Sequence, residues 1–103
     1  MPAYFIVEIE ITDPEAYKRY TARTPDVIAK YGGRFLVRGG NGEAIEGAPP
    51  ARIVVIEFPD RAAAKRFYNS PDYQEILKIR LAASKGRMML VDGVTSVNPP
   101  PGI

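Results

Sequence analysis

From Tyr4 to Ile11 the chain alternates: Phe5, Val7, Ile9 and Ile11 fall on one side, and Tyr4, Ile6, Glu8 and Glu10 on the other. That two-residue period predicts a strand. The period then lengthens. Tyr17, Tyr20, Thr21, Thr24, Ile28 and Tyr31 recur at helical spacing behind Asp13-Pro14-Glu15. In that tripeptide Asp13 is suited to the N-cap, Pro14 to the first helical position and Glu15 to the positive helix end. Pro25 interrupts the stripe, and because Thr24 could cap a restart, a kink is expected there rather than an end. Gly32-Gly33 closes the helix.

A second strand is predicted at Arg34–Arg38 (RFLVR), then a turn at Gly39–Gly42, a short extended piece at Glu43–Glu46 and a stiff connector at Ala48–Ala51. The third strand, Arg52–Phe58, holds IVVIEF, which is apolar on both faces. Asp60 caps a short helix with Ala63, Ala64, Phe67 and Tyr68 inward. Ser70-Pro71 opens another with Tyr73, Ile76, Leu77, Arg80, Leu81 and Ser84 inward and Gly86 as its stop. Arg87–Asp92 is the last strand. This order predicts an α+β fold, a ferredoxin-like antiparallel sheet with two helical segments on one face. Residues 1–93 are expected to form one domain, and 94–103 a Pro-rich C-terminal tail.

Strand parity gives two faces. One collects Phe5, Val7, Ile9, Ile11, Phe35, Val37, Val54, Ile56, Phe58, Met88 and Leu90 and belongs under the helices. The other collects Tyr4, Ile6, Glu8, Glu10, Leu36, Arg38, Ile53, Val55, Glu57, Met89 and Val91. The sorting assumes that no bulge interrupts a strand. Seven of the eleven residues on the second face are large and apolar, an extent that marks an interaction surface. Covering it with an identical sheet gives a closed two-fold homodimer.

Composition narrows the function classes. The chain has 103 residues, 46% hydrophobic and 25% charged, with a net charge of +2 and alternating signs, which argues against a nucleic-acid surface. It has no cysteine, so disulfides and thiolate metal sites are excluded. Glu8 and Glu10 break the N-terminal apolar run, so it reads as a strand and not a secretion signal. No run approaches the ~18 apolar residues of a membrane span, and a cytoplasmic protein is the expectation. No loop has the carboxylate spacing of a Mg²⁺ or Ca²⁺ site, so no metal and no cofactor are expected. The turn Gly39-Gly40-Asn41-Gly42 lacks the spacing of a phosphate loop.

YGGRFLVRGG, IEG, VVIEFPDRAAAKRFYNSPDYQEIL and the Arg80 segment resemble domain-of-unknown-function family 1330, over nearly the whole chain from Tyr4 to Gly93. The resemblance implies a dimeric α+β barrel. It implies no settled activity, because the wider superfamily includes cofactor-independent monooxygenases, lactone isomerases, dehydratases, haem-dependent enzymes and members without demonstrated catalysis. Many of its sites use histidine. This chain has none, which removes His haem ligation and His acid–base chemistry.

The candidate chemistry lies in a few charged and phenolic side chains. Arg38 and Glu57, with Glu8 nearby, are predicted to share the second sheet face. There Arg38 would clamp a carboxylate or enolate oxygen, and Glu57 or Glu8 would move a proton. The competing reading is a structural ion pair. Arg80 lies in an apolar helical stripe, where it could face a ligand, pair with Glu46, or snorkel to the edge. Tyr73 heads the same stripe as a ligand contact or as a core residue with a polar tip. The expected function is binding or transformation of a small organic acid or carbonyl compound without a cofactor. The alternative is a non-catalytic dimeric structural or binding protein.

Overall fold

The computed structural model describes residues 1–49 and 52–94. It contains β1 (Ala3–Ile11), α1 (Pro14–Lys30), β2 (Arg34–Arg38), β3 (Ile53–Phe58), α2 (Arg61–Asn69), α3 (Pro71–Ala83) and β4 (Ser84–Asp92). The strands form one antiparallel sheet in the order β2-β3-β1-β4, and α1, α2 and α3 cover one face. This is the ferredoxin-like α+β arrangement. Pro50 and Ala51 of the expected connector, and residues 95–103 of the expected tail, lie outside the described residues.

Each helix starts where a capping side chain satisfies a free backbone N–H. Asp13 accepts from Ala16 N (3.1 Å), Asp60 from Ala63 N (2.7 Å), and Ser70 from Tyr73 N (3.1 Å). α1 ends through Gly32, whose φ of 84° is a backbone shape that a side chain disfavours. β1 alternates as its sequence requires, with Phe5, Val7 and Ile9 buried and the residues between them half-buried. The core is aromatic. The Phe67 ring lies 4.4 Å from Tyr73 and 5.1 Å from Phe58, and Phe5 meets Phe58 edge-on at 5.9 Å. Fully burying side chains such as Ile28, Phe67 and Ile76 contributes roughly 1.5–3 kcal/mol each.

Some expectations need correction. Glu43–Glu46 forms no strand. α3 runs directly into β4 at Ser84, so Gly86 sits inside a strand opposite Ile9 and stops no helix. Leu81 is exposed, and Ala83 takes its place in the buried stripe. The change with most consequence is in β2. Phe35 pairs with Ile56, but Val37 pairs with Val55 and Arg38 with Val54, so a bulge at Leu36 inverts the strand's parity. Val37 therefore joins the open face, and Arg38 turns toward the helices.

Candidate functional site

Between the sheet and α1 and α3 lies a narrow cleft with an interior volume of about 30 Å³, so a ligand larger than a few waters would project through its mouth. Its walls are Val7, Ile9, Phe35, Val54, Ile56 and Met88 from the sheet and Tyr17, Tyr20, Thr21, Thr24 and Tyr73 from the helices. Arg38, Arg52 and Arg80 also line it. No lining residue is a carboxylate.

Arg80 is carried by the last turn of α3, whose buried stripe also holds Tyr73, Ile76 and Leu77. It is 8% exposed, reaches Met88 Sδ through Nη2 at 3.9 Å, and its Nε has no hydrogen-bond partner. Among the described residues it meets no carboxylate, so the expected pairing with Glu46 does not occur. An unpaired guanidinium so placed costs several kcal/mol, roughly, relative to water.

Arg52 precedes β3, and its carbonyl accepts from Ile9 N at 2.9 Å. Gly39, at φ 66°, leaves the space that the Arg52 guanidinium fills, and a β-carbon there would collide with it. Arg52 Nε is likewise buried and unpartnered.

Arg38 is held by a feature of α1. Pro25 lies inside the helix and has no N–H to offer the Thr21 carbonyl four residues earlier. Arg38 Nη2 donates to that oxygen at 3.2 Å, and its guanidinium lies 4.5 Å from the Phe35 ring centroid. Pro25 thus sits within a continuous helix and leaves a carbonyl that the arginine of β2 occupies. The guanidinium carbon is fixed at the mouth of the cleft by two contacts of different kinds.

The phenols form the opposite wall. Tyr20 and Tyr73 hydroxyls are 2.8 Å apart, and Thr24 donates to the Tyr20 carbonyl. Burial pushes the pKa of Tyr20 well up, reinforced by Tyr73. Burial likewise raises Tyr73, against the pull of Arg80, and Tyr17, against Arg52, Arg80 and Arg38. At neutral pH all three are therefore neutral phenols and not bases, with one hydroxyl proton of the Tyr20–Tyr73 pair held between them. Positive charge, neutral donors and apolar walls suit an oxyanion or carboxylate on a small carbon skeleton.

The sequence-based site is thus partly assembled and partly divided. Arg38, Arg80 and Tyr73 meet in this cleft, but Glu57 and Glu8 do not join them. The prediction that Arg38 and Glu57 share the open face fails because of the bulge at Leu36. Glu57 pairs with Arg34 at 2.8 Å, and Glu8 with Arg87 at 2.8 Å, both across neighbouring strands. The inward stripe expected of α1 brings Tyr17, Tyr20 and Thr24 to the cleft wall, and Arg52 is the lining residue that sequence reasoning missed. For Arg52 the available signal was its place opposite a glycine pair at the strand's edge.

The open face is ordered by the same register. Its middle row is Val37, Val55, Ile6 and Met89; Arg34, Glu57, Tyr4 and Val91 flank it on one side, and Ile53, Glu8 and Arg87 on the other. An apolar band between ion pairs has the anatomy of a protein interface. Among the described residues no group of three or more His, Cys, Asp or Glu could hold a metal ion. No described helix is long and apolar enough to cross a membrane.

Comparison with known proteins places this architecture. Residues 2–94 match the family described as "Domain of unknown function (DUF1330)". Among curated proteins no sequence matches. A protein of unknown function from Rhodopseudomonas palustris is similar in structure at a TM-score of 0.76 and 20% identity, covering 92% of this chain and 84% of that one. A dimeric ferredoxin-like protein of unknown function from Jannaschia sp. CCS1 gives 0.71 at 13% identity, covering 90% and 100%. SnoaB, a cofactor-independent oxygenase from Streptomyces nogalater, gives 0.64 at 17% identity, covering 95% and 98%. At these identities the likeness is one of fold.

Proposed function

The chain belongs to the DUF1330 family, and from that premise we propose that it is a homodimeric α+β barrel protein whose helix-side cleft binds a small organic anion. The observation that carries the reading is Arg80, 8% exposed and without a carboxylate partner among the described residues. A guanidinium kept in that position against its desolvation cost fits a charge reserved for a ligand. Arg38 and Arg52 extend the positive field to the mouth, and Tyr17, Tyr20 and Tyr73 supply neutral phenols.

The chemistry such a cleft supports is oxyanion stabilisation. A ligand that ionises next to a carbonyl gives up its proton more readily beside three guanidiniums. With no carboxylate or histidine among the lining residues, the proton would pass to solvent or to a second, basic group of the ligand. SnoaB, an oxygenase of this fold that needs no cofactor, is compatible with that chemistry. Homodimerisation is supported by the apolar band of the open face and by the dimeric relative from Jannaschia. In the dimer, Glu8–Arg87 and Glu57–Arg34 neutralise the rim of the interface.

Calorimetric titration with benzoate tests the reading. The wild-type protein is expected to bind it, and Arg80→Met to bind it about 10–100-fold more weakly, the worth of a charge-assisted hydrogen bond. Glu57→Gln should bind as the wild type does. No binding at millimolar benzoate, or equal affinity in Arg80→Met, would remove the proposal.

A further inference from the structure

The arginines of the cleft are spread across the sheet. Arg80 reaches Met88 on β4, whereas Arg38 is on β2 and Arg52 enters β3. Because the strand order is β2-β3-β1-β4, β1 lies between the two sets. The inner end is the more secluded, with Arg80 8% exposed beside Tyr73 at 1%, while Arg38 at the outer end is exposed. Between them the floor is Val7, Val54 and Ile56, which offer no polar group.

With β3 and β1 between the two ends, a carboxylate placed against Arg80 leaves Arg38 without an anion, and one placed at the mouth leaves Arg80 without one. Resting on the proposal that the cleft binds an organic anion, we infer that its ligand is a dianion whose acidic groups are held at the two ends of a short apolar spacer. β4 is two strand spacings from β3 and three from β2, which places those groups within roughly 15 Å of each other. Compact dicarboxylates, and carboxylic acids with a second ionisable enol or phenol, have that form. The Arg52 Nε and Arg80 Nε, buried and unpartnered, supply one open donor at each end.

The test compares benzoate with isophthalate, which adds a second carboxylate to the same ring, at one ionic strength near neutral pH. Isophthalate is expected to bind the wild-type protein at least about tenfold more tightly. Arg38→Gln combined with Arg52→Gln should erase that advantage, weakening isophthalate by a larger factor than benzoate. Gln at position 38 keeps a donor for the Thr21 carbonyl, and Arg38→Gln alone, at an exposed position, should already reduce the advantage. Arg80→Met should weaken both acids. Equal binding of the two acids, both weakened by Arg80→Met, would overturn the dianion inference and leave anion binding intact. Failure of both acids to bind would remove the two together.

Discussion

The two faces of the sheet treat arginine in opposite ways. On the open face Arg34 and Arg87 each meet a carboxylate at 2.8 Å, Glu57 and Glu8 respectively. On the covered face Arg38, Arg52 and Arg80 meet none among the described residues. Exposed pairs contribute only about 0–1 kcal/mol each, so the open-face pairs do little for stability. Their effect is to cancel charge beside an apolar band that another copy can cover. The covered face does the reverse: Arg80 is buried without a carboxylate, Arg52 Nε is buried without a partner, and Arg38 stands exposed at the mouth. On the proposed reading, paired charge marks the dimer contact and unpaired charge marks the ligand cleft.

The sharpest way to break this contrast is to put an unpaired charge where the open face has none. Ile6→Asp sits in the middle row and is half-buried in the monomer, so the subunit should still fold. Burying that carboxylate in a dimer costs about 3–5 kcal/mol, and sedimentation velocity should find the dimer weakened by at least about 100-fold. An unaltered dimer would mean that this face is not the contact.

The converse change removes charge from the covered face. Arg80→Met replaces a buried, unpaired guanidinium with an apolar side chain of similar length. Urea unfolding is expected to show a gain of about 1–2 kcal/mol, alongside the loss of benzoate binding. A loss of stability instead would make Arg80 a structural residue.

The smallest effect is in pH. Burial raises the Tyr20 and Tyr73 pKa values above the ordinary 10.0, so the folded state holds both phenol protons more tightly than the unfolded chain. The resulting stability is complete below about pH 10 and declines as pH rises through the folded-state values. Urea midpoints should therefore fall more shallowly between about pH 9 and 11 in a Tyr20→Phe, Tyr73→Phe double variant than in the wild type. Parallel declines would sever the phenols from the alkaline limb.

What was legible in the sequence was local. Asp13, Asp60 and Ser70 cap helices because a side-chain oxygen and a nearby N–H suffice, and β1 alternates because its own residues set the period. Arg80 and Tyr73 are in the cleft because a helical stripe is also local. Arg38 was misplaced because Leu36 and Val37 are both apolar, so RFLVR carries no sign of which residue the bulge absorbs. Only pairing with β3 decides that. Arg52 was missed for a similar reason, since its position depends on Gly39 across the hairpin. The α3–β4 junction was misread because Gly86 looks like a helix stop. The actual stop is tertiary: Thr12 N and Asp13 N both donate to the Ala83 carbonyl, at 2.8 and 3.0 Å.

The most direct test follows the arginine side-chain Nε–H resonances of the wild-type protein while benzoate is added. Arg80 is expected to shift in a saturable way while Arg34 and Arg87 stay in place. Saturable shifts at Arg34 and Arg87, with Arg80 unmoved, would contradict the assignment of the cleft as the anion site.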